Sequence, residues 1–419
     1  MNPTVASIRQ TALHNYEVAA ERLNLEPSVR KRLLDPKERI ELSINPALPS
    51  GRVVHVKTFV VIHNDALGPA KGGIRMTEDV TLDDIMGLAM EMTWKTSIIG
   101  VPFGGGKSGI SFEKDGLSPM DKEALIRSFT RAARRHIGPE LYIPAPDMGT
   151  NEEDMAHIRD CISYSEGRSI TAGCFVTGKP LILGGIAGRR EATGKGVVYT
   201  VLALCERLGM NVAETRVTVQ GFGNVGSVAA VEMAGYGATI VGVSDITGAV
   251  TNPDGLDMTA LAAHYDETGQ VRGFSGGTDI PRDALLEVDC DILIPAAAGS
   301  QITDRNAPLI RARIIAEGAN APTTPSGDAI LNDRGILVIP DILCNAGGVF
   351  VSFLEYTQET QREQMTVEEV EGRLSDRMRQ RFNEVYENSQ KQGHPMREAA
   401  MDIAVARVVE ATRVRGILP

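Results

Sequence analysis

Four charged residues sit where their neighbours would hold them for chemistry. The stretch VPFGGGKSG, Val101 to Gly109, sets Lys107 directly behind three glycines. Its ending, GKS, invites a P-loop reading, which needs a glycine five places before the Gly-Lys pair. Counting back from Gly106, that place is Val101, and Gly100 stands one residue too early. The spacing matters because successive backbone N–H groups must curl around the phosphates. What remains is a glycine-rich turn that lets backbone approach a ligand and delivers a lysine to the same place. The plain alternative is a solvated lysine on a turn. Lys71 in GPAKGGIRM, Lys95 in MTWK and Asp147 in PAPDMG have neighbours of the same kind, glycines, prolines and apolar residues. Three lysines so placed fit an anionic substrate with two carboxylates and leave one amine for acid–base work. Burial and neighbouring cations both lower the pKa of such an amine.

A second group of residues points to a dinucleotide. RVTVQ reads as a strand, Gly221-Phe222-Gly223-Asn224-Val225-Gly226 as a turn, SVAAVEMAGYG as a helix and ATIVGVSD as a second strand ending at Asp245. In this context Gly221 makes the tight turn, Gly223 leaves room for the pyrophosphate, and Gly226 lets helix and strand pack closely. The helix N-terminus offers free N–H groups to the phosphates. Asp245 is placed to accept bonds from the adenosine ribose. With no Arg or Lys beside it, it favours NAD and leaves NADP open.

The elements around these residues divide the chain. Residues 1 to about 40 read as helical, Val53–Asp65 as one or two strands, and the segment after Thr81 as a helix capped by that threonine. DKEALIRSFTRAARRHI reads as a second amphipathic helix, and ELYIPAPDMGT as a strand followed by a turn. From about residue 190, strands alternate with helices, as in a parallel sheet covered on both faces. From about Val349 the chain reads as mostly helical and is expected to return to the first domain. The expected architecture is α/β: a substrate and oligomerisation domain over 1–185, a Rossmann-type dinucleotide domain over 186–390, and a helical return over 391–419.

Composition sets outer bounds. With 419 residues, 42% of them hydrophobic and 23% charged, the chain has the balance of a globular protein. A net charge of -11 argues against a general nucleic-acid or anionic-membrane binder. No apolar run is long enough to span a bilayer. Five scattered cysteines without CxxC spacing predict reduced thiols, a cytoplasmic setting and no metal site.

The chain resembles the glutamate dehydrogenases, in the family that also holds leucine, valine and phenylalanine dehydrogenases. The likeness runs nearly end to end through GPAKGGIRM, MTWKTSIIGVPFGGGKSG, PAPDMGT, GRREATGKGV, GFGNVG, AEGANAPTTP and PDILCNAGGVFVSFLE. It implies reversible oxidative deamination of L-glutamate to 2-oxoglutarate and ammonia with NAD, in a homohexamer. It implies that Lys107 is the catalytic lysine and Asp147 its proton-transfer partner. Lys95 would hold the α-carboxylate. Lys71 and Ser352 would hold the distal carboxylate, with Ala145 and Val349 lining the same pocket. Thr193 would bond the nicotinamide carboxamide, and Asn320 and Asn345 would face the nicotinamide end. Ser300 stands in AAAGSQIT, where the resemblance leads one to expect ALEN before QIT, so no ribose contact is carried over to it. A branched-chain amino acid dehydrogenase is the alternative, but a buried Lys71 would have no partner beside leucine. A non-catalytic regulatory paralogue is expected to have lost Lys107 or Asp147, and both are present.

Overall fold

The computed structural model describes residues 7–112, 117–165, 167 and 173–416. They form two compact units. One gathers the described residues of Ser7–Arg189, Val349–Val370 and Met401–Pro419; the other gathers Arg190–Gly348 and Glu371–Ala400. Each is built around one sheet.

The first unit carries a five-stranded mixed sheet in the order β1-β2-β4-β3-β5. The strands are β1 (Glu38–Ile44), β2 (Val56–Asn64), β3 (Ala70–Thr77), β4 (Gly104–Ser111) and β5 (Tyr142–Pro146). Its helices are α1 (Ile8–Arg22), α2 (Pro27–Leu34), α3 (Leu82–Ile99), α4 (Pro119–Ala133) and α5 (Glu152–Ser165). Side chains alternate across each strand, so the sheet has two distinct faces. Ile74, Met76, Ile110 and Tyr142 bury against Phe129 of α4 and Ile158 of α5. On the other face, Phe59 and Val61 meet Ile85, Leu88 and Ala89 of α3. Thr81 caps α3 as expected: it accepts from the Asp84 N–H at 3.2 Å, and the Asp84 carboxylate accepts from the Thr81 N–H at 3.1 Å.

Three elements differ from the sequence reading. The glycine run is strand β4, hydrogen-bonded between β2 and β3, and not a turn. A Cβ at Gly105 would lie 2.1 Å from the Thr93 hydroxyl and 2.3 Å from the Thr93 nitrogen. Gly105 therefore lets α3 lie close on the strand, while a Cβ at Gly104 would lie 2.0 Å from the Asn64 carbonyl and one at Gly106 2.9 Å from the Tyr142 ring. β3 holds AKGGIRMT in a strand beside it: a Cβ at Gly72 would lie 1.8 Å from the Gly106 carbonyl, so glycine there lets β3 and β4 lie side by side. β1 begins at Glu38, inside the segment read as helical up to about residue 40, and its outer position shows in an alternation of half-buried and exposed residues.

The second unit carries a seven-stranded sheet in the order β12-β11-β10-β6-β7-β8-β9. β6 (Arg216–Gln220), β7 (Thr239–Ser244), β10 (Ile292–Pro295), β11 (Ile314–Ala316) and β12 (Leu337–Ile339) run parallel; β8 (Ala249–Thr251) and β9 (Thr278–Ile280) add an antiparallel extension. With β10 and β7 on either side of β6, strand order reverses there, and such a reversal opens a crevice at the carboxyl ends of the strands. The helices are α6 (Ala192–Leu208), α7 (Gly226–Gly235), α8 (Met258–Thr268), α9 (Pro325–Asp333) and the short α10 (Asp341–Cys344).

The chain ends in α11 (Gly347–Gln361), α12 (Val367–Gln392) and α13 (Met396–Val414). From Met401 the last helix belongs to the first unit, while its opening residues belong to the second together with α12 from Glu371, so the division falls at 400/401 and not at 390/391. The Ser97 hydroxyl donates to the Ala404 carbonyl at 2.8 Å, and Arg22 pairs with Asp402 at 2.8 Å. No helix among the described residues is long and apolar enough to cross a membrane.

Candidate active site

Strand alternation brings the charged residues together. Lys71 stands opposite Gly105 and Arg75 opposite Gly109, so Lys71, Arg75 and Lys107 project from the sheet face that α3 covers. Lys95, on α3 itself, is buried, as are Lys71 and Lys107. Asp147 follows β5 directly, in a turn held by Thr150, whose hydroxyl accepts from the Asp147 N–H at 3.0 Å and donates to the Ile74 carbonyl at 2.8 Å. Gly73 gives that turn its place, because a Cβ there would lie 2.7 Å from Cβ of Asp147.

The result is a tight ion pair with Lys107 Nζ 2.5 Å from Asp147 Oδ2. Arg75 Nε approaches the same oxygen at 3.4 Å. Burial alone raises a carboxyl pKa, but Lys107 and then Arg75 outweigh it and hold Asp147 well below the usual carboxylate range. Lys107 is pushed down by burial, pulled up by Asp147, and pushed down again by Arg75 and Lys95. The balance leaves it below an ordinary lysine, which suits an amine that must give and take a proton.

Lys71 lies in a different setting. Burial first, and the nearby Arg189 guanidinium second, lower its pKa to about 7. Arg189 Nε donates to the Ser352 hydroxyl at 3.0 Å. Val349 and Ser352 lie one turn apart on α11, and buried Ala145 pairs with Gly73 on β3. Beside them Lys179 is fully buried against Glu355 at 2.7 Å and Glu359 at 2.9 Å. Its charge is thus compensated within the protein, whereas Lys71 has no ion pair among the described contacts.

The second unit presents the glycine turn at the strand-order reversal. Gly221 has φ +98°, and a Cβ there would lie 2.8 Å from the Ala296 carbonyl. A Cβ at Gly226 would lie 1.9 Å from the Gly221 carbonyl, so only glycine lets α7 start against the turn. A Cβ at Gly223, by contrast, would meet nothing within 4 Å. Two glycines are thus required by packing, and the third borders open space at a helix N-terminus, with Asn224 and Val225 beside it. That arrangement fits the pyrophosphate of a dinucleotide.

Asn345 joins the neighbouring loop. Its amide donates to the Gly318 and Ala319 carbonyls at 3.2 and 3.1 Å and to Asn320 Oδ1 at 3.2 Å, while its own Oδ1 is buried without a hydrogen-bond partner. An orphaned buried acceptor beside an exposed Asn320 is what a hydrogen-bonding ligand would satisfy. Ala321 and Ser300 have φ +44° and +54°, an uncommon conformation for non-glycine residues. The Ser300 N–H donates to the Ala321 carbonyl at 2.8 Å, and the Ala321 N–H donates to Asp341 at 2.8 Å. Thr193 is half-buried in the first turn of α6.

Comparison with known proteins settles the lineage. The family described as Glutamate/Leucine/Phenylalanine/Valine dehydrogenase matches residues 184–416, and the dimerisation domain of Glu/Leu/Phe/Val dehydrogenases matches residues 36–164. The chain belongs to the Glu/Leu/Phe/Val dehydrogenase family. It is 42% identical over 414 residues to a glutamate dehydrogenase of Thermotoga maritima, covering 99% of both chains. It is 41% identical over 413 residues to the NAD-specific glutamate dehydrogenase A of Halobacterium salinarum, covering 99% of this chain and 94% of that one. Among solved structures it resembles the hetero-hexameric glutamate dehydrogenase of Thermus thermophilus in its Leu-bound form. The TM-score is 0.93 at 33% identity, with all of both chains covered.

Within this dehydrogenase, two arginines join the site that motif reading passed over. Arg75 ends GPAKGGIRM and Arg189 opens GRREATGKGV, so both lay inside blocks that drew attention for other residues. The period-2 projection of Arg75 with Lys71 is the one signal that could have found it. Asp245 is more occupied than its position suggested. Its Oδ1 accepts from the Thr247 N–H and hydroxyl, both at 2.6 Å, and from the Gly248 N–H at 3.2 Å; Oδ2 accepts from the Val271 N–H at 2.7 Å. The carboxylate ties its own turn together, and a ribose hydroxyl would find room only at Oδ2.

Proposed function

We propose that this dehydrogenase catalyses the reversible oxidative deamination of L-glutamate to 2-oxoglutarate and ammonia. The observation that carries the chemistry is the buried Lys107–Asp147 pair at 2.5 Å. Lys95 orients the α-carboxylate. The distal carboxylate meets Lys71, with Ser352 beside it and Ala145 and Val349 lining the pocket. Bound NAD supplies the hydride acceptor for the α-carbon. Lys107, in its neutral form, takes a proton from the water that attacks the substrate imine. Asp147 carries protons to and from the amino nitrogen as the carbinolamine collapses. In the reverse direction the same two groups give back what they took.

For the cofactor, the turn from Gly221 to Gly226 holds the pyrophosphate, Thr193, Asn320 and Asn345 hold the nicotinamide end, and Asp245 offers Oδ2 to the ribose. The NAD-specific relative from Halobacterium salinarum supports NAD. Glutamate is favoured over leucine because its distal carboxylate stabilises the protonated Lys71 amine, which burial and Arg189 otherwise disfavour, whereas a hydrocarbon side chain offers that amine no partner. A homohexamer in the cytoplasm completes the reading: the hetero-hexameric Thermus thermophilus neighbour supports six subunits, there of more than one kind, and five free, buried cysteines fit reducing surroundings.

Lys107→Ala and Asp147→Asn test the chemistry. Each should lower turnover by a factor on the order of 100 or more, with NADH binding, followed by fluorescence, little changed. Near-normal turnover in either variant would overturn the assignment.

A further inference from the structure

The Lys107–Asp147 pair has a third member. Arg75 is largely buried on β3, and its Nε lies 3.4 Å from Asp147 Oδ2, the same oxygen that Lys107 reaches at 2.5 Å. Nε is buried and makes no hydrogen bond. A guanidinium usually meets a carboxylate through two parallel hydrogen bonds. Here it offers only charge, while the lysine makes the close contact. Gly73 opposite Ala145, and the Thr150 bonds to Asp147 and Ile74, fix the turn that makes this sharing possible.

We infer that Arg75 is a positioning residue that shares Asp147 with Lys107 and keeps the lysine amine available in its neutral form. The inference rests on the proposed role of Lys107 and deepens it. Without Arg75, the full charge of Asp147 would act on Lys107 and favour the ammonium. With it, part of that charge is offset, and a like charge stands within the ~6 Å over which charges shift a pKa. The other groups facing Lys107 are Asp147 itself and Lys95 on α3. The Tyr142 phenol also lies within reach of the Asp147 charge, is held neutral by burial, and donates to the Gly72 carbonyl at 3.2 Å. Replacing Arg75 alters none of these residues, and Lys107, the larger influence on Asp147, still holds its carboxyl down.

The test is the pH dependence of kcat for glutamate oxidation in wild type, Arg75→Gln and Arg75→Lys. The acidic limb reports the group that must lose its proton. In Arg75→Gln that limb should move to higher pH by about one unit, because a cation that lowers the Lys107 pKa is gone. In Arg75→Lys, which keeps the charge, the limb should stay in place while kcat falls with the altered geometry. A purely packing role would lower kcat or thermal stability and leave the limb unmoved in both variants, and that result overturns the inference. A second measurement needs no turnover: the pH dependence of Lys107 acylation by acetic anhydride, read by mass spectrometry, should show the same displacement. If Arg75→Gln does not fold, Arg75→Met, which also removes the charge, takes its place: a limb or acylation curve displaced to higher pH supports the charge account, and an undisplaced one overturns it. A wild-type enzyme without an acidic limb would count against the role of Lys107 itself, an outcome distinct from failure of the Arg75 inference.

Discussion

At about pH 8 a Lys71 amine with a pKa of about 7 is mostly uncharged, and a dicarboxylate arriving beside it must be met by a proton from solvent. The sign follows from linkage. Burial and Arg189 hold the pKa down in the free enzyme, and a bound carboxylate raises it. Between the two values binding takes up a proton, so affinity falls as pH rises. Glutarate, which cannot react, is the suitable probe. Titration calorimetry in buffers of different ionisation enthalpy should show proton uptake in wild type that is smaller in Lys71→Leu. Equal uptake in the two would mean that the proton goes elsewhere. The type and neighbours of Lys71 were legible in the sequence, as were those of Lys95, Lys107 and Asp147. The company of Arg75 and Arg189 was not, because it depends on which way a strand side chain points and on a contact across 163 residues between Arg189 and Ser352.

Strand β4 shows why elements were harder to read than residues. Glycine has poor strand propensity and signals turns, so a run of three reads locally as a loop. The reason for the run is tertiary: a Cβ at Gly104 would strike the Asn64 carbonyl, one at Gly105 the backbone nitrogen of Thr93 on α3, and one at Gly106 the Tyr142 ring. Gly105→Ala should therefore cost at least about 1–3 kcal/mol, as overpacking does. It should also lower activity, because the same strand carries Lys107 two residues later. Denaturant unfolding with a parallel rate measurement checks both. An unchanged midpoint would mean that α3 can move away, and that Gly105 serves something other than its approach. The capped start of α3 and the strand–glycine turn–helix of the dinucleotide site were readable because their signals are local: a Thr81–Asp84 capping box and a fixed glycine spacing. β3 lacked any such local signal, whereas β1 carried one in the alternation of Ile40, Leu42 and Ile44 with polar residues, which the reading of residues 1 to about 40 as helical passed over.

On the scale of the whole molecule, each unit gathers its candidate residues on its own sheet: charged residues on one sheet face of the first, a glycine turn at the strand-order reversal of the second. The likeness to known dehydrogenases spans both, which is why the overall architecture could be read from the order of short blocks. The way α11, α12 and α13 distribute between the units could not, since a helix carries no mark in its sequence of which sheet it will join. Light scattering of the purified protein should return six times the chain mass. A stable dimer that is fully active would show that the hexamer is not needed for the reaction.

The central claim is that this dehydrogenase selects glutamate, and that Lys71 reads the distal carboxylate. The most direct test is kcat/KM for L-glutamate and L-norleucine with NAD in wild type and Lys71→Leu. Both substrates would present the same α-carboxylate and amine to Lys95, Lys107 and Asp147 in the proposed site, so only the far end distinguishes them. Wild type should prefer glutamate. In Lys71→Leu the glutamate value should fall by roughly 2–5 kcal/mol in transition-state terms, because a carboxylate would be buried beside an apolar surface. Norleucine should lose nothing comparable. A glutamate-to-norleucine ratio unchanged by the substitution, or a wild type that prefers norleucine, would contradict the claim.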